Sequence, residues 1–232
     1  MTSKQKIEYW VIPPEADAEF VANMEEVLET YEKAYDPRHP VVCMDEQPVQ
    51  LVKETRQPIT ATSKHPKRVD YEYERVGTAS IFMFNEPLGG WRQATARDQR
   101  TKTDWAQEVA ALLDTRYADC DHITLICDNL NTHTKGAFYE VYPPERARAY
   151  VRRINFVYTP KHGSWLNVAE NELSSMTRQC LKNKRVSTLK ILKTQIQAWY
   201  KDVNKTQRGV DWQMKIEDAR GKLKSIYPKI KL

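Results

Sequence analysis

Apolar residues along this chain recur at two spacings, and the changes between them mark out its elements. Behind Pro13-Pro14, the residues Phe20, Met24, Val27, Leu28 and Tyr31 repeat at helical intervals, which predicts an amphipathic helix ending before Pro37. "HPVVCMDE" (39–46) is then a short buried run of strand formers that stops at an acid. "QLVKETRQPI" follows, and after it a polar stretch over 61–75 that reads as a loop leading into a strand. "GTASIFMFNEP" (77–87), the turn "LGG" and "WRQATARDQR" (91–100) have the form of a hairpin, so the sheet begins antiparallel.

Trp105, Val109, Leu112 and Leu113 form one stripe of a second helix, with Thr103 or Asp104 as its cap. It leads to a fourth strand, "HITLICDN" (122–129). A helix interrupted at Pro143-Pro144 and resumed at "ERARAYVRR" (145–153) separates this from a fifth, "INFVYTP" (154–160). The loop "KHGSW" and a helix from Trp165 to about Leu181 close the pattern. The order β-β-β-α-β-α-β-α predicts a mixed α/β sandwich.

Composition narrows the class. With 232 residues, 41% of them hydrophobic, the chain can bury one core with appendages. No apolar run approaches the roughly 20 residues that span a bilayer, and "MTSKQKIEYW" lacks the apolar stretch of a signal peptide. The expectation is a cytoplasmic protein with no membrane partner. Cys43, Cys120, Cys127 and Cys180 have no metal-binding spacing and read as reduced thiols. The net charge of +5 is mild, but its distribution is uneven. No acid falls between Leu173 and Lys201, whereas Arg178, Lys182, Lys184, Arg185, Lys190, Lys193 and Lys201 all do. Such a face suits a polyanion, or is a solvated helix surface.

The candidate chemistry begins with "TLICDNLNTHTKG" (124–136), an apolar run broken by Asp128 with Asn129, Asn131 and His133 behind it. Asp-Asn is also ordinary turn chemistry. A second apolar run, "VVCMD", ends in the same way at Asp45, so in one sheet the two acids can share an edge. In the helix from Trp165, the positions Trp165, Ala169, Leu173, Met176 and Cys180 fall on one side, and Asn167, Glu170, Ser174 and Arg178 on the other. Glu170 therefore points away from its helix's core stripe. Three carboxylates from two strands and a helix suit two magnesium ions, with manganese as a substitute, in an in-line phosphoryl transfer. The plainer readings are a turn acid for Asp45 and a solvated helix acid for Glu170.

At these residues the sequence resembles a known family. "VVCMDEQPVQL", "LICDNLNTHTKG" and "INFVYTPKHGSWLNVAENELSSMTRQCL" are similar to the three acidic blocks of the DDE transposases of the insertion-sequence 630 branch, relatives of the Tc1/mariner elements. The resemblance runs from "IEYWVIPP" to "ARGKLKSIYP" and implies an RNase H-like fold. Its catalytic and metal-binding acids match Asp45, Asp128 and Glu170. His133 matches a common histidine after the second acid, with a capping or turn role as the alternative. Asn129 follows the second acid as in the family, and Asn167 matches an asparagine before the glutamate that orients the helix start or the DNA. "NVAE" stands where many relatives have Asn-Pro-Ile-Glu, and the stretch between Asp128 and Glu170 is longer than the tighter mariner-like spacing.

What the resemblance implies is a DNA cleavage and strand-transfer domain acting on transposon ends and target duplex, as a homodimer on DNA. Arg178, Lys182, Lys184, Arg185 and Lys190 are its expected DNA contacts. The expected organisation is a linker helix over 1–38, a catalytic core over 39–185 and a basic helical extension over 186–232. Nothing in the chain resembles the helix-turn-helix modules of full-length relatives, so a separate N-terminal helix-turn-helix polypeptide is a further expected partner. A stand-alone RNase H-like nuclease and a non-catalytic DNA-binding remnant are the alternatives.

Overall fold

The two apolar runs that stop at acids lie side by side. In the computed structural model, which describes residues 15–206 and 208–229, β1 (Val41–Glu54) runs parallel to β4 (Ile123–Asp128), with Val41 opposite Thr124 and Cys43 opposite Ile126. β5 (Ile154–Thr159) extends the sheet in parallel beyond β4. On its other side β1 pairs antiparallel with β2 (Tyr73–Glu86), and β2 with β3 (Trp91–Arg97). The order is β3-β2-β1-β4-β5, a mixed five-stranded sheet as the pattern of elements predicts.

Both faces are covered, which is why these strands read as unbroken apolar runs. Along β1, Val41 and Cys43 face one layer while Val42 and Met44 face the other, following the period of two. The first layer holds α1 (Ala18–Glu32), α5 (Val168–Met176), α6 (Leu189–Val203) and part of α7 (Ile216–Lys222). The second holds α2 (Lys102–Asp114), α3 (Lys135–Val141) and α4 (Pro144–Arg152), packed on Phe82 and Phe84 around the fully buried Trp105.

Three details differ from the sequence pattern. β1 does not stop at Glu46. It continues as a ribbon with β2 out to the pair Glu54–Tyr73, although the hydrophobic signal fades, because β4 pairs only with Val41–Cys43 and leaves β1's other edge free. Pro48 is tolerated there, since a proline on an unpaired edge removes no ladder bond. α2 is capped by Thr101 in a reciprocal box with Asp104, not by Thr103 or Asp104. The helix expected from Trp165 to Leu181 is divided: a 3-10 turn spans Ser164–Leu166, α5 starts at Val168, and a π-helical turn spans Thr177–Leu181. Pro13-Pro14 lie outside the described residues, and α1 begins on Asp17, whose carboxylate accepts from the N–H groups of Glu19 and Phe20 at 3.0 Å each. Among the described residues no helix is long and apolar enough to cross a membrane.

Candidate active site

Strand register decides where the first two acids go. Cys43 pairs with Ile126, so two residues further along, and therefore on the same face, Asp45 and Asp128 reach the same edge of the sheet. The third acid arrives from α5. Asn167 is its N-cap: the side-chain oxygen accepts from the Ala169 N–H at 3.1 Å, and the amide nitrogen donates to the carbonyl of Met44 at 2.9 Å. One buried side chain thus ties the start of α5 to the residue preceding Asp45. From the far side, the Tyr31 hydroxyl of α1 donates to the Leu166 carbonyl at 2.8 Å, bracing the turn ahead of α5.

The helical stripe holds as expected for Ala169, Leu173, Met176 and Cys180, which are buried, and for Glu170, Ser174 and Arg178, which are exposed. Asn167 departs from it. It was expected on the solvent side with Glu170 but is 3% exposed, because it lies before the helix proper and its amide has backbone partners inside.

Asp45, Asp128 and Glu170 line one cavity of about 660 Å³ together with Asn129, Lys161 and His162. The electrostatics fit a cluster of acids. Burial, together with the charges of Asp128, Glu170 and Glu46, pushes the Asp45 carboxyl up to about 6, against the N–H of Glu46 that donates to it at 2.7 Å. All-oxygen donors of this kind suit a hard divalent cation such as magnesium or manganese. Among the described residues no three acid, histidine or cysteine side chains are gathered tightly enough to enclose one ion.

Behind the cavity, His133 is 1% exposed and stacked on Trp105, with ring centroids 5.4 Å apart. Its Nδ1 lies 2.6 Å from Asp128 and its Nε2 3.2 Å from Glu46. Burial opposes its charge, but hydrogen bonding to Asp128, Cys127 and Glu46 outweighs that and holds the imidazole well above its ordinary pKa. His133 is thus a buried group lying between Asp128 and Glu46, and its Nδ1 also donates to the Asp128 backbone carbonyl at 3.2 Å within the turn that follows β4. Glu46 is the residue that sequence reasoning missed. Its only signal was that it follows Asp45 in a strand, so it must face the opposite layer.

The basic residues separate. Arg178, Lys182, Lys184 and Lys190 are exposed. Arg185 is not part of a free basic surface: its guanidinium pairs with Glu54 and donates to the carbonyls of Asp70 and Glu72, clasping the β1–β2 ribbon. Lys190 lies apart from the acids, in a larger groove of about 1170 Å³ between β3 and α6. That groove holds none of the three acids, and its Arg97, Asp104 and Glu108 are paired with one another.

A family profile described as DDE superfamily endonuclease matches residues 40–193, more than half of the chain and inclusive of all three acids. The chain belongs to the DDE superfamily of endonucleases. Among solved structures, this DDE chain is similar to the mariner Mos1 paired-end complex with magnesium, at a TM-score of 0.59 and 16% identity over 99% of this chain and 69% of that one. It is also similar to the Mos1 paired-end complex with manganese (TM-score 0.53, 16% identity, 87% of this chain and 60% of that one) and to the Mos1 strand transfer complex (0.53, 15%, 87% and 59%). At such identities the likeness speaks for the fold, which is RNase H-like. The chain spans about 60% of the length of the manganese-complex protein. No curated protein matches it in sequence.

Proposed function

We propose that this DDE endonuclease domain is a transposase catalytic core of the insertion-sequence 630 branch, which cuts DNA at element ends and joins the freed ends to target duplex. The observation that carries this reading is the convergence of Asp45, Asp128 and Glu170 on one cavity, where burial, with the neighbouring acids adding to it, raises the Asp45 carboxyl to about 6. These three residues would hold two magnesium ions, which when bound supply Lewis-acid activation of the attacking and leaving oxygens. Asn167 ties the helix bearing Glu170 to the strand bearing Asp45, which limits the relative movement of the two acids. Lys161 and His162, on the turn at the cavity rim, would receive the phosphate backbone beside the acids. Two of the Mos1 structures are paired-end complexes with magnesium or manganese, which supports a divalent metal and DNA ends in this reading; a homodimer on DNA is the assembly proposed with it. In this reading residues 39–185 are the catalytic core, 1–38 a linker helix and 186–232 a basic extension, and a separate helix-turn-helix polypeptide supplies end recognition.

A cleavage-and-joining assay on a labelled duplex carrying an element end, with magnesium, tests it. Nicking with strand transfer, lost in Asp45→Asn, Asp128→Asn and Glu170→Gln, is the expected result. Cleavage without joining would replace it with a stand-alone nuclease, and metal-independent binding without cleavage would leave a non-catalytic remnant.

A further inference from the structure

Asp45 and Glu46 are neighbours in β1 and therefore point to opposite faces of the sheet, Asp45 into the cavity and Glu46 into the layer beneath it. The Glu46 side chain is only 3% exposed, which is costly for a carboxylate unless it is paired. Its partner is His133 Nε2 at 3.2 Å, and the other ring nitrogen lies 2.6 Å from Asp128 Oδ1. Each ring nitrogen lies against a carboxylate oxygen, and Nδ1 also donates to the backbone carbonyl of Asp128 at 3.2 Å, so the ring is seated against both the side chain and the main chain of Asp128. Little is left for it to do but stay in place: it stacks on Trp105, its backbone N–H donates to the Leu130 carbonyl at 2.9 Å, and its own carbonyl accepts from the Tyr158 hydroxyl at 2.9 Å. Asp128, by contrast, stands at the open end of β4 with its side chain 42% exposed.

We infer that Glu46 is a positioning residue which, acting through His133, holds the Asp128 carboxylate in the orientation that the site uses. The inference rests on the reading of Asp128 as a metal ligand, and it adds a fourth carboxylate that never touches metal or DNA. Groups that orient ligands from behind in this way change metal affinity or activity by about 10–100-fold when lost. A buried ion pair with a purely structural role changes stability alone.

The experiment is calorimetric titration of manganese alone into wild type, Glu46→Gln, Glu46→Met and Asp128→Asn, with the melting temperature of each recorded in chelator. Glu46→Gln keeps the length and an oxygen acceptor, so it folds, and its half-saturating manganese rises by roughly tenfold. Glu46→Met rises further, towards a hundredfold, if it folds. Half-saturation unchanged from wild type in Glu46→Gln, with only the melting temperature in chelator altered, overturns the positioning role while leaving Asp128 as a ligand. Manganese binding by Asp128→Asn equal to that of wild type overturns the ligand reading itself, and the positioning role falls with it.

Discussion

Replacing Asp45 by Asn should make the metal-free protein more stable at neutral pH while abolishing its activity. The Asp45 carboxyl is raised from 3.8 to about 6 in the folded chain by burial and by its acidic neighbours. Keeping it ionised at pH 7.5 therefore costs the native state up to about 3 kcal/mol relative to the unfolded chain, at about 1.4 kcal/mol per pH unit. Asn removes that cost yet keeps an oxygen to accept the Glu46 N–H bond. Because the folded state binds the extra proton, the wild-type penalty is absent below about pH 4, grows as the pH rises, and is complete above about pH 6. Urea denaturation in chelator should show Asp45→Asn ahead of wild type by ~1–3 kcal/mol at pH 7.5, with the gap shrinking towards zero near pH 4. Added magnesium should narrow or reverse the order, since only the wild type keeps the complete set of acids. An Asn variant less stable than wild type at pH 7.5 in chelator, or a gap that does not depend on pH, would refute the account of a carboxyl raised by burial and by its acidic neighbours.

Magnesium or manganese should raise the melting temperature of wild type by mass action, and a variant lacking all three acids should lose that response; thermal denaturation with and without chelator checks it. Lys182→Gln with Lys184→Gln should weaken binding to duplex DNA of any sequence about equally and flatten its salt dependence by up to about two charges, read by competition titration at several salt concentrations. Arg185→Gln should instead destabilise the fold, because its guanidinium clasps Glu54 and the carbonyls of Asp70 and Glu72; denaturation separates it from the two lysines. Arg92→Met should cost about 3 kcal/mol in urea denaturation, since it leaves Glu172 without the buried guanidinium 2.9 Å away and removes the donor to the Arg208 carbonyl.

Several features were legible from the chain alone because they are local. The acid endings of "VVCMD" and "TLICD" and the outward face of Glu170 depend only on the periods of strand and helix, and the five strands follow from apolar runs bounded by turns. Other features depend on which distant groups meet. The length of β1 beyond Glu46 comes from its pairing with β2, where the residue pattern is weak. Asn167 reads as a residue of a solvent face until the Met44 carbonyl, 123 positions away, is found against its amide. Arg185 reads as one of a row of free cations, yet it is taken up by Glu54 of β1 and by the carbonyls of Asp70 and Glu72 just ahead of β2. Glu46 and His133 are 87 residues apart, and periodicity carries no information about a partner on another strand. Within the regular helices and strands periodicity determined which side chains turn inward or outward, whereas only tertiary packing decided the facing of Asn167 ahead of its helix and what each side chain meets, because hydrogen bonds and ion pairs act over a few ångströms in space regardless of separation along the chain.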